Sequence, residues 1–196
     1  MAADERSLVD RAKQGDVEAF GQIYQRYVDR VYSFVVFRVR DEALAEDLTQ
    51  EVFIQALRAL GSYDWRGSFA PWLLRIARNT VIDCWRRHAR RPERPLSAVE
   101  VGDDEEDESR IDRLVAEEDP DAVARADQVL DRERIVAAMA FLTELQQEVL
   151  ALRFTAGLSI RETADVMGKS EGAIKNLQHH AVKALKRHLE LEQDLP

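Results

Sequence analysis

This sequence predicts an all-α protein: two small helical domains joined by an acidic flexible linker. Three observations predict it. Apolar residues recur at three- and four-residue steps along most of the chain, and runs with strand-like alternation are nearly absent. Between two periodic stretches lies one segment that loses the apolar pattern and gathers proline and acid. The 196 residues leave room for two small domains, and a hydrophobic content of 45% is enough to give each a core. A mean hydropathy of −0.39, with no apolar run near the ~18 residues of a spanning helix, argues against membrane insertion. The start, Met1-Ala-Ala-Asp-Glu-Arg, is charged at once, unlike a secretory leader. A single cysteine, Cys84, permits no internal disulfide and fits a reducing compartment, so the expected location is cytoplasmic.

The elements follow in order. Residues 1–90 read as the first domain. Phe20, Ile23, Tyr24, Tyr27, Val28, Val31, Tyr32, Val35 and Val39 trace one buried helical stripe. Asp41 is placed to cap a second helix carrying Leu44, Leu48, Val52, Phe53, Ala56, Leu57 and Leu60, with Gly61 as its stop. A turn-rich piece, residues 62–70, precedes Pro71, which suits the first turn of a third helix running from Trp72 to about Arg90. Residues 91–128 form the linker, punctuated by Pro92, Pro95 and Pro120 and centred on the self-repelling run Gly102–Ser109. A helix resumes near Asp121 with Val123, Leu130, Ile135, Met139 and Leu142 inward, and residues 129–196 make the second domain. Thr143-Glu-Leu-Gln146 reads as a capping box opening a helix that ends near Gly157.

A net charge of −9 argues against nucleic acid until it is placed along the chain. Residues 1–90 hold 14 Lys/Arg against 13 Asp/Glu, residues 91–128 hold 5 against 14, and residues 129–196 hold 9 against 10. The acidity belongs to the linker. Arg66–Arg90 contains six arginines and one acid, Asp83, while Lys169–His188 contains five Lys/Arg and one acid, Glu171. Two basic patches flank an acidic linker, which can compete with DNA for both.

The sharpest local signal is in the second patch. Ser159-Ile-Arg-Glu162 is another capping box, and Ser170 caps the helix that runs from Glu171 to about Leu189. Ala164, Gly168, Ile174 and Leu177 stand where a helix-turn-helix needs a small residue, a turn glycine and two locking apolar side chains. On the second helix Lys175, Asn176, Gln178 and His179 lie on or near the outer face at the end that enters a major groove. Lys175, Asn176 and Gln178 suit base edges, whereas Lys169, Ser170, Lys183 and Arg187 suit phosphates, with Glu171 at the helix start. Adjacent helical residues diverge, so His179-His180 is not read as a metal site.

In the first patch Tyr63, Trp65, Arg66 and Phe69 interleave aromatics with arginine on a loop, a pattern that suits stacking of unpaired bases. Trp72, Ile76, Val81 and Ile82 share helical spacing and read as core. Arg75, Arg78, Arg86 and Arg87 share a helical face suited to phosphates.

Several ordered motifs are similar to a known family. Gly15–Phe20 with Tyr24 and Tyr27, then Ala45–Phe53, then Phe69–Asn79 with Ile82, Asp83, Arg86 and Arg87, resemble region 2 of bacterial sigma-70-type factors. Leu150–Phe154, Gly157–Ile160, Glu162–Ala164, Met167-Gly168 and Glu171–Lys175 resemble region 4. The compact layout resembles the extracytoplasmic-function (ECF) group. The resemblance implies that Asp47, Gln50, Glu51 and Phe53 meet the β′ clamp helices of core RNA polymerase, and that region 4 meets the β flap. It implies that Tyr63, Trp65, Arg66 and Phe69 capture an unstacked −10 base, beside Arg75, Arg78, Asn79 and Arg86. It implies that the helix-turn-helix reads −35 DNA, that the acidic linker threads the polymerase's RNA channel, and that an anti-sigma protein covers the same surfaces. Where many relatives carry arginines, this chain has Asn176, Gln178, His179 and His180, which leaves the −35 sequence open.

Competing classes explain less. A free-standing regulator leaves the basic-aromatic loop idle and lacks a dimer seam for two half-sites. An adaptor of helical pairs does not account for the caps and turn glycine. For an enzyme there is no Gly-rich phosphate loop, no nucleophile with its base and no His/Cys ligand spacing, and no cofactor is expected.

Overall fold

The computed structural model describes residues 2–89 and 138–193, which form seven α-helices and no strand among the described residues. The linker and the expected helical start near Asp121, with Val123, Leu130 and Ile135, lie outside the described residues.

Four helices build the first unit. Helix α1, Ala2–Lys13, was not foreseen, and it buries Leu8, Val9 and Ala12. Asp16 stops the turn after it and accepts the Ala19 N–H at 3.0 Å, starting α2, Val17–Val39. Ile23, Tyr27, Val31 and Val35 of the expected stripe are buried, joined by Ala19, Phe34 and, against its polarity, Arg38. Arg40 closes α2 in the left-handed region at φ 56°, returning its N–H to Val36.

Asp41 caps α3, Glu42–Ala59, by accepting the Leu44 N–H at 2.9 Å, as expected. Its end is not as expected. The chain tightens into a 3₁₀ turn over Leu60–Ser62, and Gly61 sits inside that turn without a positive φ. Leu57, expected inside, is 53% exposed, because Val52, Phe53, Ala56 and Leu60 already fill the side facing α2 and α4. Tyr24 likewise lies near the surface and packs edge-on against Phe53, with ring centroids 4.7 Å apart. Helix α4, Ala70–Ala89, carries Pro71 in its first turn, where no amide is missed, and buries Leu73, Leu74, Ala77, Val81 and Cys84. Each buried Leu or Val among these contributes roughly 1.5–3 kcal/mol.

The second unit starts at α5, Glu144–Leu150, which Thr143 opens with a complete capping box to Gln146. One π-helical turn, Ala151–Thr155, follows, then α6, Ile160–Met167, and α7, Glu171–Gln193. Met139 and Leu142 are buried, as expected. The units are packed together: α2 meets the π turn and α4 meets α6, so the buried apolar residues of both join in one cluster.

Candidate nucleic-acid interface

The helix-turn-helix is assembled as its caps require. Ser159 Oγ accepts the Glu162 N–H at 3.2 Å, and the Glu162 carboxylate accepts the Ser159 N–H at 2.8 Å. Burial alone would raise the Glu162 pKa; its bonds to Ser159, the field of Arg30 and a bond from Ser68 outweigh that and hold it below its ordinary value. Thr163, fully buried, donates its hydroxyl to the Ser159 carbonyl. Gly168 ends α6 at φ 63° and ψ 38°, its N–H bonded to Ala164. Ser170 Oγ then accepts the Ala173 N–H, and Ile174, completely buried, locks α7 onto α6.

The outer face of α7 holds what the sequence placed there. Lys175, Asn176, His179, Lys183 and Arg187 are exposed, as are Lys169, Ser170 and Glu171 before them. Gln178 is the exception. It is half-buried, and its Oε1 accepts from Arg153 Nε at 3.0 Å, so this amide reaches the surface already tethered. Arg153 itself was missed, because nothing local marks a residue of the π turn as the holder of a side chain two helices later. His180 is exposed, and His188 stacks on Phe141 with centroids 4.0 Å apart. No group of three metal-ligating side chains occurs among the described residues.

The first patch needs correcting. Phe69 is completely buried and Tyr63 is 4% exposed, so neither is free to stack on a base. They pack with Tyr27 and Trp72, at centroid separations of 5.3 Å for Tyr63–Phe69 and 5.1 Å for Phe69–Trp72. The Tyr63 hydroxyl donates to the Ser68 carbonyl at 3.1 Å and ties the loop shut, and burial raises its pKa. Apolar area decides this: aromatic rings so close to the α1–α2 seam are worth more inside than out. Exposed Arg66 lines an open cleft of about 690 Å³ with Trp72, Arg75, Arg161 and Asp165, whereas half-buried Trp65 packs edge-on against Tyr63 with ring centroids 6.4 Å apart.

Of the arginine face on α4, Asn79, Arg86 and Arg87 are exposed, with Arg86 3.4 Å from Asp83. Arg75 and Arg78 are engaged by the second unit. Arg75 donates to the Asp165 carbonyl, and Arg78 is ion-paired with Glu148, whose side chain is only 6% exposed. Sequence spacing sees one helix at a time and cannot show such a contact. Cys84 is buried and its thiol pKa is raised by that burial, which fits packing rather than reactivity.

On α3, Asp47 and Gln50 are exposed, and Glu51 is half-buried, accepting from Gln55 Nε2 at 2.8 Å. Phe53, expected both in the apolar stripe of α3 and among the polymerase contacts, is 5% exposed: it belongs to the stripe and supports the face from behind. In its place Ile54 and Leu57, 45% and 53% exposed, continue the stripe begun by Asp47 and Gln50.

Architecture and site define the class: a two-part, all-helical protein with a capped helix-turn-helix and an arginine-lined cleft between the first unit and α6. The chain matches the families described as Sigma-70 region 2 over residues 23–91 and Sigma-70, region 4, over residues 138–187. It is 42% identical over 93% of its length to the ECF RNA polymerase sigma factor BldN of Streptomyces coelicolor, of which it spans 64%. It is 34% identical to the ECF sigma factor SigX of Bacillus subtilis, covering 89% of this chain and 85% of that one. Two solved structures share the fold. CnrH, in complex with the cytosolic domain of CnrY, aligns over 98% of this chain and 99% of its own at 24% identity and a TM-score of 0.64. RpoE, in complex with the anti-sigma factor NepR from Bartonella quintana, aligns over 89% and 98% at 21% identity and a TM-score of 0.65.

The chain belongs to the ECF RNA polymerase sigma factors. Its function is that of the family, promoter-specific transcription initiation with core RNA polymerase.

Proposed function

We propose that residues 1–90 dock on core polymerase and handle the −10 element, that residues 129–196 read −35 DNA, and that residues 91–128 connect the two. Asp47, Gln50 and Glu51, with Ile54 and Leu57, offer the β′ clamp helices an acidic stripe with an apolar end. Trp65, on the loop, and Arg66, in the cleft, take the opened −10 strand, with Asn79 and Arg86 on its phosphates and Arg75 and Arg78 joining once the units part. Tyr63, Phe69 and Phe53 hold these surfaces in place from the core. Lys175 and Asn176 face base edges, the tethered Gln178 beside them; Lys169, Ser170, Lys183 and Arg187 face phosphates. The second unit also meets the β flap. The protein acts in the cytoplasm, catalyses no reaction of its own and is held by an anti-sigma protein, as RpoE is by NepR.

The observation that carries this reading is the register of the helix-turn-helix: two side-chain caps and a left-handed glycine placed between them, with the basic face of α7 left open. Trp65→Ala and Arg66→Ala test the −10 half. Both are expected to lower strand opening, followed by permanganate reactivity of unpaired thymines, by about tenfold while changing duplex docking less than about twofold. Equal losses in opening and docking contradict the base-capture role.

A further inference from the structure

Four arginines of the first unit reach into the second. Arg30 on α2 donates to the Ala156 carbonyl just after the π turn. Arg75 on α4 donates to the Asp165 carbonyl, near the C-terminal end of α6, where helix carbonyls lack intrahelical partners. Arg78 on α4 is ion-paired with Glu148 on α5. Arg38, 7% exposed, lies with its guanidinium 4.6 Å from the centre of the Trp85 ring and donates Nη1 to the Glu144 carbonyl at 3.3 Å. Desolvation works against the charge on Arg38, and the field of Glu148 works for it. Glu148 therefore answers two buried or half-buried arginines of the other unit, and it is itself almost completely enclosed.

A carboxylate accepting a charged hydrogen bond from an arginine makes the contact that a phosphate oxygen would make. We propose that Glu148 is an internal latch: it occupies Arg78 in place of a strand phosphate, and with the Arg30 and Arg75 contacts it holds the free chain in a closed arrangement that excludes the −10 strand. The exclusion rests on the assignment of Arg75 and Arg78 to that strand; the latch itself does not.

The physics makes the latch sensitive to one atom pair. A buried ion pair contributes little net stability when intact, but removing one partner strands the other charge without water. Loss of Glu148 leaves Arg38 and Arg78, neighbours on the first unit's side of the joint, without the carboxylate that offsets their mutual repulsion, so the units separate and both arginines regain solvent. Polymerase opens the same joint by binding each unit at its own site, with no need to compete for Glu148 directly. A strand-binding surface available only in the open fraction shows an apparent affinity reduced by that fraction.

The test uses the full chain carrying Glu148→Gln and, separately, Arg30→Ala, which lies outside the proposed DNA and polymerase surfaces. The radius of gyration is read by small-angle X-ray scattering, and affinity for a fluorescein-labelled single-stranded oligothymidine by anisotropy. Glu148→Gln is expected to expand the chain and raise strand affinity about tenfold, with Arg30→Ala moving both in the same direction by less. Circular dichroism checks that each remains folded, and Arg30→Ala carries the test if Glu148→Gln does not. A compact chain of unchanged size in both variants overturns the latch. Expansion with unchanged strand affinity overturns the exclusion instead, and locates the error in the strand assignment of Arg75 and Arg78.

Discussion

Single residues set the geometry of the DNA-reading hairpin, and two glycines separate backbone conformation from packing. Gly168 sits at φ 63°, and a Cβ there would meet nothing within 4 Å, so only conformation opposes a side chain. Gly168→Ala should lower the unfolding free energy by about 1–2 kcal/mol, the cost of placing an L-residue in the left-handed region. Gly172, the second residue of α7 and equally open, should respond with the opposite sign: Gly172→Ala should stabilise by about 0.5 kcal/mol, the lower end of the range for a helix interior. Urea unfolding of both variants measures the pair, and a shared sign contradicts the turn geometry. The caps and this glycine were legible in the sequence because each acts within four residues of itself. Tyr63 and Phe69 were legible as aromatic and not as buried, because their partners Tyr27 and Trp72 come from other elements. Gln178 was placed on the right face, while its tether to Arg153 was invisible for the same reason.

Helices were legible in proportion to the length of their periodic stripe. α2 carries a long stripe whose centre, Ile23, Tyr27, Val31 and Val35, is buried as expected, while Tyr24 is exposed and Ala19, Phe34 and Arg38 are buried outside it; α1 offers only Leu8, Val9 and Ala12 among charges, too short a stripe to read. α3 shows the limit most clearly. Periodicity marks Leu57 as part of the apolar stripe, yet the core facing α2 and α4 is full before reaching it, and Leu57 emerges beside Ile54. These two exposed apolar side chains continue the acidic stripe of the proposed polymerase-docking face. Ile54→Ser combined with Leu57→Ser should therefore weaken binding to core polymerase by about tenfold or more, since ~1.4 kcal/mol is already a factor of ten. The thermal midpoint should hardly move, because surface substitutions away from packed features stay within about 0.5 kcal/mol. A fall in the midpoint without loss of polymerase affinity would show the two residues to be core after all.

For the whole molecule, the net charge of −9 is an average over parts that act separately. Linear charge counting found both basic patches. It missed that one patch faces the other unit: Arg75 and Arg78 pair with groups 90 and 70 residues away in the chain, a separation no local pattern spans. Free chain should therefore bind promoter DNA weakly, and polymerase should convert it to a tight, selective binder by drawing the units apart. The most direct measurement mixes purified chain with bacterial core RNA polymerase, titrates complex formation and then follows run-off transcription from a genomic promoter library. The account predicts a tight complex that transcribes from a discrete promoter set, whose shared −10 and −35 sequences emerge from the transcripts. Failure to bind core, alongside specific duplex binding by the chain alone, would contradict it and undo every role assigned to the first unit.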